Sequence, residues 1–225
     1  MKKNVLVISG IALAVISSLG LMGREIIVGF ALPENDYGML IVMLVCGLLY
    51  ASGVLFVVAG YMRNMTVLQI ARGAMIAAMY AVLTLSPGLN AISYGQVQFR
   101  ISEMLMPLAA FEMAAVPGLW IGCIIANIGS PFGAIDLTFG AGMTLLAALI
   151  MRSIGPRWEG MAAPVIINAL GVALVLNVAG ELPYLSSALW VGLGELGVMA
   201  VLGAPLFVLL KKNPAIIGLG QEKGI

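Results

Sequence analysis

The chain has 225 residues, of which 62% are hydrophobic and only 9% charged, with a formal net charge of +1 and no histidine. A soluble domain carries about a quarter charged residues, and surface-to-volume scaling gives no soluble core of this size room for so much apolar side chain. The composition therefore excludes a soluble protein and points into a bilayer. It also excludes a basic nucleic-acid surface and removes the usual general base and commonest metal ligand.

Spanning helices need about 20 apolar residues, and eight apolar segments are predicted along the chain. The first, Val5–Met22, follows Met1-Lys2-Lys3; it is read as a retained span because no small-residue cleavage site follows it. A polar loop with Arg24, Glu25, Pro33, Glu34 and Asp36 leads to the second, Gly38–Tyr61. The third, Ile70–Leu85, stops at the turn signal Ser86-Pro87-Gly88. After a loop come Arg100–Ala115, which carries charge, and Gly118–Ile128, entered through Pro117-Gly118. Phe132–Met151, Met161–Ala179 and Ser186–Leu210 complete the set. Cys46 and Cys123 each stand alone in an apolar run and are read as small packing residues rather than a disulfide or metal pair.

Basic residues mark the cytoplasmic side of membrane proteins. With an inner N-terminus and eight spans, Lys2, Lys3, Arg63, Arg72, Arg152, Arg157, Lys211, Lys212 and Lys223 fall inside and only Arg24 and Arg100 outside. A multi-pass protein of the cell membrane with both termini cytoplasmic is expected.

Polar groups within a bilayer are costly, about 2.5–3.5 kcal/mol for a central charge on insertion scales, so each is a candidate for function. Arg100 and Glu103 are three apart and share a helical face. Tyr94, Gln96 and Gln98 precede them, Asn127 closes the fifth segment, Asp136 opens the sixth, and Glu195 lies in the eighth. All fall in the outer half; Asn168 lies near mid-depth in the seventh. Each has a plainer reading. Arg100 and Glu103 would neutralise one another, Asp136 would suit a helix N-terminus, and Asn168 would bond a neighbouring helix. Glu195, alone in an apolar run, has the weakest such reading. Together they suggest one outward pocket for a planar polar heterocycle: carboxylates accept from ring N–H and amine groups, while Arg and amides serve carbonyl oxygens. Tyr184 and Trp190 near the same end suit interfacial anchoring, and Glu112 lies near the inner end, outside the pocket. The chain contains no phosphate-binding glycine loop and no nucleophile motif, so neither ATP hydrolysis by that route nor an enzyme is expected.

The run Tyr94-Gly95-Gln96-Val97-Gln98-Phe99-Arg100-Ile101-Ser102-Glu103 resembles the signature of the QueT family. Ile125-Ala126-Asn127 with Ser130-Pro131, Gly133, Asp136 and Phe139-Gly140 resembles it too, as do Pro164–Ala169 and Val191–Glu195. The resemblance spans about Ile70–Lys211. It implies the substrate-binding (S) component of an energy-coupling factor (ECF) transporter, a class of ATP-driven ABC importer, taking up queuosine precursors, which are 7-deazaguanines. It implies an all-α membrane protein with a six-helix core over residues 66–212, preceded here by a pair of extra spans over residues 1–65 and followed by a cytoplasmic tail, 213–225. It further implies docking on one transmembrane coupling protein and two ATPases, which use the ATP, leaving no cofactor in this chain. Ala74, Ala78 and Ala81 stand where the small-residue docking ridge of such components would be. For such a ligand, whose N–H and amine edge suits a carboxylate and whose carbonyl suits Arg or an amide, Glu195 or Glu103 is expected to take the guanine-like edge, Gln98, Arg100 and Asn168 to complete the ring contacts, and Asp136 to take the aminomethyl ammonium of the later precursor. An S component or stand-alone secondary carrier for another vitamin or purine-like solute is the alternative, and a non-transporting membrane assembly factor a more distant one.

Overall fold

The structure, a computed structural model, describes residues 48–49, 52–63, 65–94 and 98–213. The first predicted span, the start of the second, Gln96 and the tail beyond residue 213 lie outside the described residues. The chain divides into two compact units, residues 1–64 and 65–225. Of the first unit, α1, Ser52–Met62, is described.

The second unit is all-helical among its described residues. Its elements are α2 (Val67–Leu85), α3 (Ile101–Phe111), α4 (Ala115–Asn127), α5 (Asp136–Ile154), α6 (Ala162–Gly180) and α7 (Tyr184–Lys212). A one-turn helix, Leu89–Ser93, follows α2. Thr66 starts α2 as a capping box, its hydroxyl oxygen accepting from the Gln69 backbone N–H while Gln69 reaches back to the Thr66 N–H. Pro164 and Pro117 fall in the first turns of α6 and α4, where the missing N–H has no helical partner to lose. In α7, Pro205 cannot donate and crowds the carbonyl four residues earlier; the preceding residues, Met199–Gly203, relax into a π turn.

Helices α2, α5 and α7, and the stretch Trp158–Val178 that contains most of α6, are long and apolar enough to cross a membrane. The two remaining predicted spans are shorter. At 1.5 Å per residue α3 and α4 reach only about 16 and 20 Å, against roughly 30 Å of hydrocarbon. Pro107 interrupts α3 and Glu112 leaves it in extended geometry, so the chain turns back through Met113 and Ala114 before α4 begins.

The exterior is apolar, and the buried polar residues are enclosed within an otherwise apolar interior. On α7, Leu185, Leu189, Leu193 and Leu196 are exposed, while Ser187, Val191, Gly194, Glu195 and Val198 on the opposite face are buried. In water such a leucine stripe would drive aggregation; against lipid it costs nothing, and the polar face must be enclosed by protein. On α2, Val67, Leu68, Met75 and Val82 are exposed in the same way. The sequence-level expectation of an integral all-α membrane protein is met.

Helix α2 packs on α4, α4 on α5, α5 on α6 and α6 on α7, and α3 lies innermost against α2, α5 and α7. The α2–α4 contact is backbone-close. A Cβ on Gly118 would stand 2.6 Å from the Gly73 carbonyl oxygen, and one on Gly122 only 2.7 Å from Tyr80 Cβ. Small residues at this crossing let the helices approach and set Tyr80, wholly buried, over α3. Ala77 and Ala81 turn inward here, whereas Ala74 and Ala78 lie on the exposed face of α2.

Charged residues gather at one end of this unit. Arg72 pairs with Glu112 at 3.0 Å, Arg152 donates to the Ala110 carbonyl at 3.4 Å, and Phe207 packs between Phe111 and Trp158 one turn from Lys211. Glu112 also accepts from the Ala114 N–H, so its place outside the pocket has a structural role behind it.

Candidate solute-binding site

The polar residues singled out in the sequence converge toward the end away from that charged cluster. Gln98, Arg100, Glu103, Asn127, Asp136, Asn168 and Glu195 are all at most 3% exposed, although they come from the strand-like approach to α3 and from α3, α4, α5, α6 and α7. Gly194 brings two of these stretches together: a Cβ there would meet the Gln98 carbonyl oxygen at 2.2 Å, so only glycine lets α7 lie against the extended chain before Arg100.

Two networks make up the site. In the first, Arg100 Nη2 donates to Asn127 Oδ1 at 2.5 Å and to Asp136 Oδ2 at 3.5 Å. Asn127 Nδ2 in turn donates to the Asp136 carbonyl oxygen at 2.8 Å. That carbonyl also accepts from the Ala141 N–H, the i+5 bond of the π turn Asp136–Gly140 that begins α5. Such turns recur at functional sites. Gly140 is required by it, because a Cβ would lie 2.1 Å from Asp136 Oδ1. The Tyr94 ring stacks 5.4 Å from the Arg100 guanidinium, and its hydroxyl donates to the Ala126 carbonyl at 2.6 Å.

In the second network the Tyr80 hydroxyl donates to Glu103 Oε1, and Asn168 Nδ2 donates to Glu195 Oε1 at 3.0 Å. Asn168 and Thr144 also face Glu103, and Glu103 and Glu195 lie near enough to interact electrostatically. Among the described residues, five buried side-chain polar atoms are left without a partner: Glu103 Oε2, Glu195 Oε2, Asn168 Oδ1, Arg100 Nε and Ser187 Oγ. Buried polar groups are nearly always bonded, and each omission costs about 1–3 kcal/mol. Three of them, Glu103 Oε2, Glu195 Oε2 and Asn168 Oδ1, fall in this second network and leave it open to donors from a bound molecule.

Sequence reasoning missed Tyr80, Ser187, Thr144 and Cys123. Tyr80 follows Gly73 and Ala77 along the buried face of α2, and Ser187 stands at i, i+4, i+8 with Val191 and Glu195; that spacing was the available signal. The thiol of Cys123 accepts from Thr144 at 3.4 Å and lies 3.6 Å from Asn127 Nδ2, so it lines the first network rather than merely filling space. Tyr184 and Trp190 face outward, as interfacial anchors do, with the Tyr184 hydroxyl donating to the Leu170 carbonyl at 3.2 Å. Among the described residues no cluster of His, Cys, Asp or Glu has metal-site geometry.

A helical membrane protein with a lipid-facing exterior and an enclosed, under-satisfied polar site fits the class that carries a small polar solute. Residues 70–212 match the QueT transporter family. The chain belongs to that family, and so is a transporter rather than an enzyme. It is also similar to the queuosine precursor transporter QueT of Lactococcus lactis subsp. cremoris (strain MG1363), with 34% identity over 140 residues covering 54% of this chain and 80% of that protein. No solved structure matches the chain.

Proposed function

We propose that the chain is the substrate-binding component of an energy-coupling factor importer and captures a queuosine precursor, a 7-deazaguanine, at the outer face of the cell membrane. The carrying observation is the buried set of unpartnered acceptors, Glu103 Oε2, Glu195 Oε2 and Asn168 Oδ1, beside an unpartnered donor, Arg100 Nε. A 7-deazaguanine offers N–H donors and a carbonyl oxygen, the complementary set. The name of the Lactococcus relative supports the same solute class. In this reading Gln98, Asn127 and Tyr94 frame the ring site and residues 66–212 form the core. Uptake is driven by ATP that two partner ATPases hydrolyse through a transmembrane coupling protein, with the exposed Ala74 and Ala78 of α2 available for docking. The basic end of the unit and both termini face the cytoplasm, and residues 1–65 form an added pair of spans. Calorimetric titration of the purified protein in detergent with aminomethyl-7-deazaguanine, cyano-7-deazaguanine, queuine and guanine tests this. Submicromolar binding of a 7-deazaguanine with guanine far weaker is expected; tight binding of none of them contradicts the assignment.

A further inference from the structure

The three buried carboxylates of the site differ in their charge balance. Arg100 is the only buried cation among the described residues, and it pairs with Asp136 at 3.5 Å. Glu103 and Glu195 have no such pairing at hydrogen-bond distance; each takes one bond from a neutral donor, Tyr80 and Asn168 respectively. Each keeps one oxygen with no donor, and the Asn168 carbonyl oxygen is equally bare. Three bare acceptor oxygens, two of them from carboxylates, thus belong to one buried network.

A neutral ring edge could supply hydrogen bonds there but would bring no positive charge to the carboxylate pair, for which Arg100 is within electrostatic reach but bonded to Asp136; burying ionised groups with so little compensation is costly. A primary ammonium brings three donors, no acceptor and one positive charge. We propose that the solute binds as a cation whose protonated primary amine is held by Glu103, Glu195 and Asn168, while Asp136 serves as counter-ion to Arg100. The sequence reading offers Glu103, Asp136 and Glu195 to an ammonium and assigns Asp136 the aminomethyl group; the pairing of Asp136 with Arg100 leaves Glu103 and Glu195 for that role. This assignment rests on the 7-deazaguanine reading above and selects, within it, the aminomethyl form.

The test is a titration series on the full-length wild-type protein with aminomethyl-, hydroxymethyl- and cyano-7-deazaguanine. The hydroxymethyl compound keeps the ring and nearly the shape, loses the charge and two of the three donors, and gains an acceptor. The aminomethyl compound is expected to bind at least about 100-fold more tightly than either neutral form, a comparison that needs no variant to fold. In Glu195→Gln, with Glu103→Gln as a second variant, that preference should fall by about tenfold or more. Affinities within about threefold across the three ligands overturn the ammonium site and leave the 7-deazaguanine reading standing. Binding of none of the three overturns that reading and this assignment with it.

Discussion

Glu195 illustrates how a single side chain can be expensive to the fold and useful to the site. It is 2% exposed, bonded once by Asn168, and left with a bare carboxylate oxygen next to Glu103. Evolved proteins accept such costs where a ligand later removes them. Replacing it by glutamine keeps the Asn168 bond, removes a negative charge and adds an amide able to donate toward Glu103. Glu195→Gln is therefore expected to stabilise the ligand-free protein, by about 1–3 kcal/mol, while weakening solute binding. Thermal unfolding in detergent reads the first effect, and a lowered melting temperature would contradict it. Arg100 is the opposite case: its guanidinium holds Asn127 and Asp136 together, so its role in the unliganded fold is already filled.

At the scale of elements, the site depends on the closeness of α2 and α4. Gly118 and Gly122 let those helices meet at backbone distance, and that contact places Tyr80 over Glu103. Gly122→Val forces its side chain against Ala77 O and Tyr80 Cβ, 2.8 and 2.7 Å from the added Cβ alone. Overpacking of this kind costs about 1–3 kcal/mol or more, and here it also moves a site residue. A lowered melting temperature together with weaker solute binding is expected; unchanged values for both would show that the crossing does not position Tyr80. The sequence made the long elements legible because α2, α5, α6 and α7 are continuous apolar runs bounded by Gly, Pro and polar turns. It counted the short segments at α3 and α4 among the eight spans, since an apolar count does not register that Pro107 and Glu112 break the helix. It located Arg100, Glu103, Asp136 and Glu195 through their sheer cost in an apolar stretch. It passed over Tyr80, Ser187 and Thr144, whose residue types are ordinary in membrane helices and whose importance comes only from which face the packing turns inward. The partnering of Asp136 with Arg100, 36 residues away, was equally invisible before the helices were assembled.

For the whole molecule, the distribution of charge and the depth of the site go together. In the second unit Arg72, Arg152 and Lys211 gather at one end, and the polar networks extend from the middle toward the other; the proposed orientation turns that second end outward. With the two native cysteines removed, a single cysteine at Gly88→Cys is expected to react with a membrane-impermeant thiol reagent in intact cells, and one at Asn213→Cys only after permeabilisation. The reverse pattern would invert the orientation and turn the site to the cytoplasm. Whether Glu103 and Glu195 form the solute site is decided by titrating aminomethyl-7-deazaguanine into the double variant Glu103→Ala/Glu195→Ala beside the wild type. A folded, monodisperse variant that has lost at least about 100-fold in affinity is the expected result; an affinity equal to that of the wild type would place the solute elsewhere and contradict the account.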